Sequence, residues 1–196
     1  MKRSSQFRSV HVLSALVIAV IVCAVAVVAC GTKSVELDED FQKLLTYKFG
    51  DSREPLMVIQ DHIRESHGDA AVRLNLERQL AQLIRTESTW ECNDFACRQL
   101  RVVGTKESVS TLATLLTDEK MSDMARYALE LNRDPSVDKA LRKALSTAQG
   151  KTLIGIVNSI GERRDKGSVE DLKKLITSTD EGVASAARDA LAKIGM

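Results

Sequence analysis

The sequence predicts an all-α fold, an α-solenoid of paired antiparallel helices, preceded by an N-terminal hydrophobic leader or membrane helix. Three observations carry this reading. Between Ala96 and Gly195 one short pattern returns, and Leu100, Leu129, Ile160 and Leu191 follow one another at 29, 31 and 31 residues. A Ser-Val pair trails each of the first three (Ser108-Val109, Ser136-Val137, Ser168-Val169), with Leu112, Leu141 or Leu172 three or four residues on. Such a period, made of two helical patterns and short turns, is the signature of stacked helix pairs. Finally, two prolines and ten glycines in 196 residues, with abundant Ala, Leu, Lys, Arg and Glu, favour helix over sheet.

The first thirty residues differ from the rest. Lys2, Arg3 and Arg8 precede an apolar run in which, from Ala15 to Cys30, no residue but the cysteines is polar. At 1.5 Å per residue, Val12 to Cys30 covers about 28 Å, which suits either a bilayer span or a cleaved leader. A positive start kept inside would put the remainder on the non-cytoplasmic side. Val27-Val28-Ala29-Cys30 resembles a bacterial lipoprotein box, and that resemblance implies lipidation of Cys30. Lipidation, an uncleaved span and ordinary cleavage all stay open. The expected organisation is a leader or anchor over 1–30, a tether over 31–37 and a repeat domain over 38–196. Without Lys2, Arg3 and Arg8 the chain holds 25 Lys plus Arg against 27 Asp plus Glu. No basic stripe is left to suggest nucleic acid as a partner.

Along the domain, Phe41, Leu44, Leu45 and Phe49 have helical spacing, ended by Gly50. Pro55 sits in the first turn of a second helix with Leu56, Val58, Ile59 and Ile63. Asp69 can cap a third, striped by Val72, Leu76, Leu80, Leu83 and Ile84. Ser88 can open a fourth, holding Trp90, Phe95, Leu100 and Val103 before Gly104. Thr105 with Ser108 opens the next, faced by Val109, Leu112, Leu115 and Leu116, and Thr117-Asp118 leads to Met121, Met124, Ala125, Ala128 and Leu129. Asp134-Pro135 combines a cap with a first-turn proline ahead of Val137, Leu141 and Leu145. Gly150 precedes Leu153, Ile156, Val157 and Ile160; a turn at Asp165 to Gly167 precedes Val169, Leu172, Leu175 and Ile176; Asp180 caps a last helix with Val183, Ala187, Leu191 and Ile194. About ten short helices result, each marginal in isolation, so that stability must come from stacking.

The segments DFACRQLRVVGTKESVSTLATLLTD, MARYALELNRDPSVDKALRKAL, GIVNSIGERRDKGSVEDLKKLI and VASAARDALAKIG resemble HEAT repeats, closest to envelope-associated HEAT proteins of planctomycete-type bacteria. The likeness covers residues 90 to 196 well and 38 to 89 loosely. It implies a helical scaffold that binds other proteins through one exposed helix layer, with no catalytic motif.

Candidate chemistry is sparse. Cys92 and Cys97 are five residues apart, which on one continuous helix is too far for a disulfide. They are either separate thiols or, if the helix starts after Cys92, a disulfide pair. His62 and His67 do not share a helical face, and no metal-ligand spacing appears. Gly150-Lys151-Thr152 lacks the upstream glycine of a phosphate loop, and no G-x-S-x-G is present. Trp90 and Tyr127 read as core aromatics.

Arg126 and Tyr127, with Asn158, Arg163 and Arg164 one repeat later, can form a polar ridge on the inner layer. That ridge either recognises a partner or pairs internally to hold repeats in register. The expected function is a non-enzymatic, membrane-anchored scaffold for protein–protein interaction in the bacterial envelope, without cofactor, metal or small-molecule substrate. The alternatives are an accessory or regulatory subunit of an envelope enzyme, or a HEAT-like lyase.

Overall fold

A computed structural model describes residues 36–196, all of whose regular structure is helical. Ten α-helices occur among the described residues: α1 (Glu39–Leu44), α2 (Glu54–Glu65), α3 (Ala70–Arg85), α4 (Trp90–Val103), α5 (Lys106–Leu115), α6 (Ser122–Leu129), α7 (Pro135–Leu145), α8 (Gly150–Glu162), α9 (Val169–Leu175) and α10 (Glu181–Ile194). A 3-10 turn at Lys166–Ser168 leads into α9.

Helix starts follow from local chemistry. The first N–H groups of a helix have no partner within it, and a short acceptor side chain just ahead supplies one. Asp69 accepts from Ala71 and Val72, Thr89 from Cys92, Thr105 from Glu107, Asp134 from Ser136, and Asp180 from Gly182 and Val183. The fourth helix is capped by Thr89, one residue beyond Ser88.

Consecutive helices pair as hairpins: α1 with α2, α3 with α4, α5 with α6, α7 with α8, α9 with α10. Each hairpin also packs on the next. In one layer α1 meets α3, α3 meets α5 and α5 meets α7; in the other α2 meets α4, then α6, α8 and α10 in turn. This two-layered packing in chain order is consistent with a helical-repeat, solenoid fold. Leu100, Leu129, Ile160 and Leu191, the residues of the sequence echo, fall on α4, α6, α8 and α10, and all are buried in one continuous apolar core. Small residues set the closest approach. A β-carbon on Gly161 of α8 would lie 2.8 Å from the Cα of Ala190 on α10.

Three local expectations fail. The first helix stops at Leu44; the chain then turns, with Asp51 accepting from the Lys48 N–H at 2.8 Å and Gly50 at φ +103°. Phe49 is therefore 71% exposed instead of lying on an apolar stripe. Trp90 and Tyr127 are 43% and 39% exposed, not core. Val72, placed on the stripe of α3, is also exposed.

The reading of a membrane-anchored envelope protein is corrected as well. The longest described helix, α3, has 16 residues and carries Arg73, Glu77, Arg78 and Arg85. At 1.5 Å per residue it covers about 24 Å, short of a bilayer core. No helix among the described residues is long and apolar enough to cross a membrane. The membrane and lipoprotein assignments, the membrane as partner and the envelope location are withdrawn on that finding. The leader over 1–30 and Cys30 lie outside the described residues.

Candidate functional site

Helices α6 and α8 are neighbours in the same layer, and between them opens a cleft of about 330 Å³. The start of α6 is tied down by Asp118, whose carboxylate accepts from the Lys120 and Met121 N–H groups at 2.8 and 2.9 Å, and by Ser122, which donates to Leu116 O at 2.8 Å. Met124 and Leu129 from α6, with Leu141 reaching in from α7, give the cleft apolar lining. Arg126, Tyr127, Asn158 and Arg163 also line it, so four of the five ridge residues named from the sequence converge.

They do different things. Arg126 pairs with Asp123 one turn earlier and reaches Ser159 Oγ at 3.4 Å, which ties α6 to α8. Its Nε is buried and has no hydrogen-bond partner among the described residues. The guanidinium of Arg101 on α4 lies 4.1 Å from the centroid of the Tyr127 ring, a cation–π contact, and Arg101 also donates to Tyr127 O and to Glu130, both at 2.7 Å. Tyr127 is thus held in place while part of its ring stays open. Asn158 is exposed at the mouth.

Arg163 is a strut. Its side chain is 11% exposed; Nε donates to Asp138 at 2.5 Å and a terminal nitrogen to Asn132 O at 2.6 Å, with Leu129 O and Glu130 O at 3.4 and 3.5 Å. It therefore caps the C-terminal carbonyls of the preceding repeat's helix α6. Arg164 does not line the cleft; it is an exposed residue at φ +53° ending α8.

The neighbouring Asp165 is the other register contact. Both its oxygens accept from Arg142 on α7, at 2.7 and 2.6 Å, and it also accepts from Ser168 Oγ at 2.6 Å and Gly167 N–H at 3.1 Å. Burial pushes its carboxyl up, but these hydrogen bonds outweigh that and hold it below the usual carboxylate range.

Cys92 and Cys97 both lie on α4, which begins at Trp90, and both are buried and free, so no disulfide joins them. Burial pushes the Cys92 thiol up to about 11, partly offset by a hydrogen bond with Ser88. Burial and then the charge of Asp94 push Cys97 up to about 12. Both therefore stay protonated near neutral pH and are poor nucleophiles. His62 and His67 are exposed, and no group of three metal-ligating side chains occurs among the described residues.

A second cleft, of about 420 Å³, opens between the 47–53 loop, α2 and α4, with Tyr47, Phe49, Leu56, Asp94, Phe95 and Arg98 in its lining. Sequence patterning missed it, because Tyr47 and Phe49, expected within the first helix, lie instead in the loop that forms one wall. The chain matches no family model, no curated protein and no solved structure.

Proposed function

We propose that the chain is a non-enzymatic, HEAT-like repeat scaffold that binds another protein through the layer formed by α2, α4, α6, α8 and α10. The observation that carries the reading is the α6–α8 cleft. It joins apolar lining from Met124 and Leu141 to a braced but half-open Tyr127 and an exposed Asn158 amide. An apolar recess with a few placed polar groups and an aromatic anchor is what a protein side chain needs for docking. The charged groups at the rim are spent on internal pairs: Arg126 with Asp123, Arg163 with Asp138, Glu130 with Arg101, Glu162 with Lys193. The thiols of Cys92 and Cys97, the two cysteines among the described residues, are buried and protonated, which supports the non-enzymatic reading.

The test is affinity capture with the full-length chain, run in parallel with Tyr127→Ala, Asn158→Arg and a control, Lys143→Ala, on the opposite layer. A protein recovered by the wild type and the control and lost with both cleft variants is the expected result. Recovery of the same proteins by all four, or of none, overturns the proposal.

A further inference from the structure

The chain is poor in aromatics, yet four of the six among the described residues gather at one place. Tyr47, Phe49 and Phe95 line the 420 Å³ cleft beside α2 and α4, and the ring of Trp90 packs on Phe49 with centroids 6.0 Å apart, tilted by 53°. Phe49 and Trp90 are the most exposed aromatics among the described residues; Phe49 lines the cleft, and Trp90 packs on Phe49 without lining it. Exposed aromatics grouped at a concavity mark a binding surface more than a packing accident.

The polar lining says what kind of group fits. Asp51, Glu91 and Asp94 face two guanidiniums, Arg53 and Arg98, which leaves the lining one unit negative. Asp94 is only 7% exposed. One of its oxygens accepts from Arg98 Nε at 2.9 Å, while the other, Oδ1, is buried with no hydrogen-bond partner among the described residues. A buried carboxylate oxygen without a donor is costly, and it leaves the Asp94 charge held by Arg98 as its one side-chain donor among the described residues. The Arg98 side chain is half exposed, so it can turn aside while another cation takes its place at Asp94.

We propose that this cleft binds the cationic side chain, arginine or lysine, of a partner polypeptide. Its aliphatic stem lies along Leu56 and Phe95, its charge sits against the faces of Tyr47 or Phe49, and its N–H groups reach Asp94 and Glu91. Aromatic faces attract a cation through the ring quadrupole, and a carboxylate at the base adds direction. The occupant is thus a basic segment, and the cleft is separate from the one between α6 and α8.

Trp90 is the single tryptophan of the chain and packs on Phe49 of the lining, so its fluorescence reports on this cleft through that ring. Full-length protein is titrated with the tripeptide Gly-Arg-Gly, with Gly-Glu-Gly as the comparison. A saturable change in Trp90 emission with the cationic peptide only, weakened about tenfold in Asp94→Asn and in Phe49→Ala, is expected. Asn158→Arg, in the other cleft, leaves the titration unchanged. Because Asp94 is buried, circular dichroism checks its variant; if that variant unfolds, the exposed Phe49→Ala and the rim Glu91→Gln decide. No saturable response to Gly-Arg-Gly, an equal response to Gly-Glu-Gly, or full binding by folded Asp94→Asn, or by Phe49→Ala and Glu91→Gln together, overturns the proposal.

Discussion

The guanidinium of Arg126 lies directly over the Cα of Gly155, so near that a β-carbon at 155 would sit 2.5 Å from its Cζ. The glycine is the notch that lets the arginine cross from α6 to Ser159 on α8. Gly161, six residues later, faces a backbone instead, and a β-carbon there would lie 2.8 Å from Ala190 Cα.

The two glycines therefore predict opposite outcomes. In Gly155→Ala the obstacle is the end of a flexible side chain, which can move, and alanine gains about 1 kcal/mol of helix propensity. Stability should stay within about 1 kcal/mol of wild type, while Arg126 is displaced and the α6–α8 cleft is reshaped. In Gly161→Ala the helices themselves must separate, and a loss of about 1–3 kcal/mol is expected. Urea unfolding of both variants checks this. Equal losses would mean that Arg126 is as fixed as the backbone.

Arg163 separates a register role from a recognition role. Its planar fork serves Asp138 and the carbonyl end of α6 together, and a lysine ammonium cannot reproduce that geometry. Both Arg163→Ala and Arg163→Lys should lose about 2–3 kcal/mol of stability, since buried acceptors lose their donors. Thermal unfolding measures it. If Arg163→Lys keeps wild-type stability, the arginine is not the strut described above.

Asp165 makes part of the stability dependent on pH. Its folded-state carboxyl titrates below the unfolded value of about 3.9, so the carboxylate stabilises fully above that value. The contribution is lost as pH falls through the lowered folded value. Asp165→Asn removes the charge pairing with Arg142 and weakens the cap, at a cost of about 1–2 kcal/mol at neutral pH. The gap between wild type and variant, followed by thermal unfolding, should hold from pH 7 to about 5 and close progressively below about pH 4. A gap unchanged at pH 2 would contradict the assignment.

What was legible in the sequence is what is local. Asp69, Thr105, Asp134 and Asp180 were readable as caps because each bonds an N–H two or three residues on. The echo of Leu100, Leu129, Ile160 and Leu191 located one helix layer, since periodic burial leaves a periodic pattern. Arg163 was picked out as a ridge residue, but its partners Asn132 and Leu129 lie 31 and 34 residues away, so pattern alone could not tell strut from contact. Leu141 entered the cleft from the other layer, which a single-helix reading cannot show. Helical spacing did place Phe49 and Trp90 on apolar faces, yet one lies in a turn and the other begins its helix, and both stay largely exposed among the described residues.

Glu77 is the largest such omission and supplies the last prediction. It sits amid the apolar stripe of α3, fully buried, where a charge alone would be unfavourable. Its carboxylate accepts from Thr105 N–H at 2.6 Å, Thr105 Oγ1 at 2.8 Å and Ser108 N–H at 3.0 Å, all at the first turn of α5. One repeat thus caps the next, and the positive end of the α5 dipole offsets the buried charge. Glu77→Gln turns one acceptor into a donor that faces other donors, and should cost about 2–3 kcal/mol. Hydrogen exchange should show the loss concentrated in the first turn of α5, where the Ser108 amide loses protection ahead of Leu83 in α3. Uniform loss across both helices would mean that Glu77 supports the core as a whole and does not act as a cap between repeats.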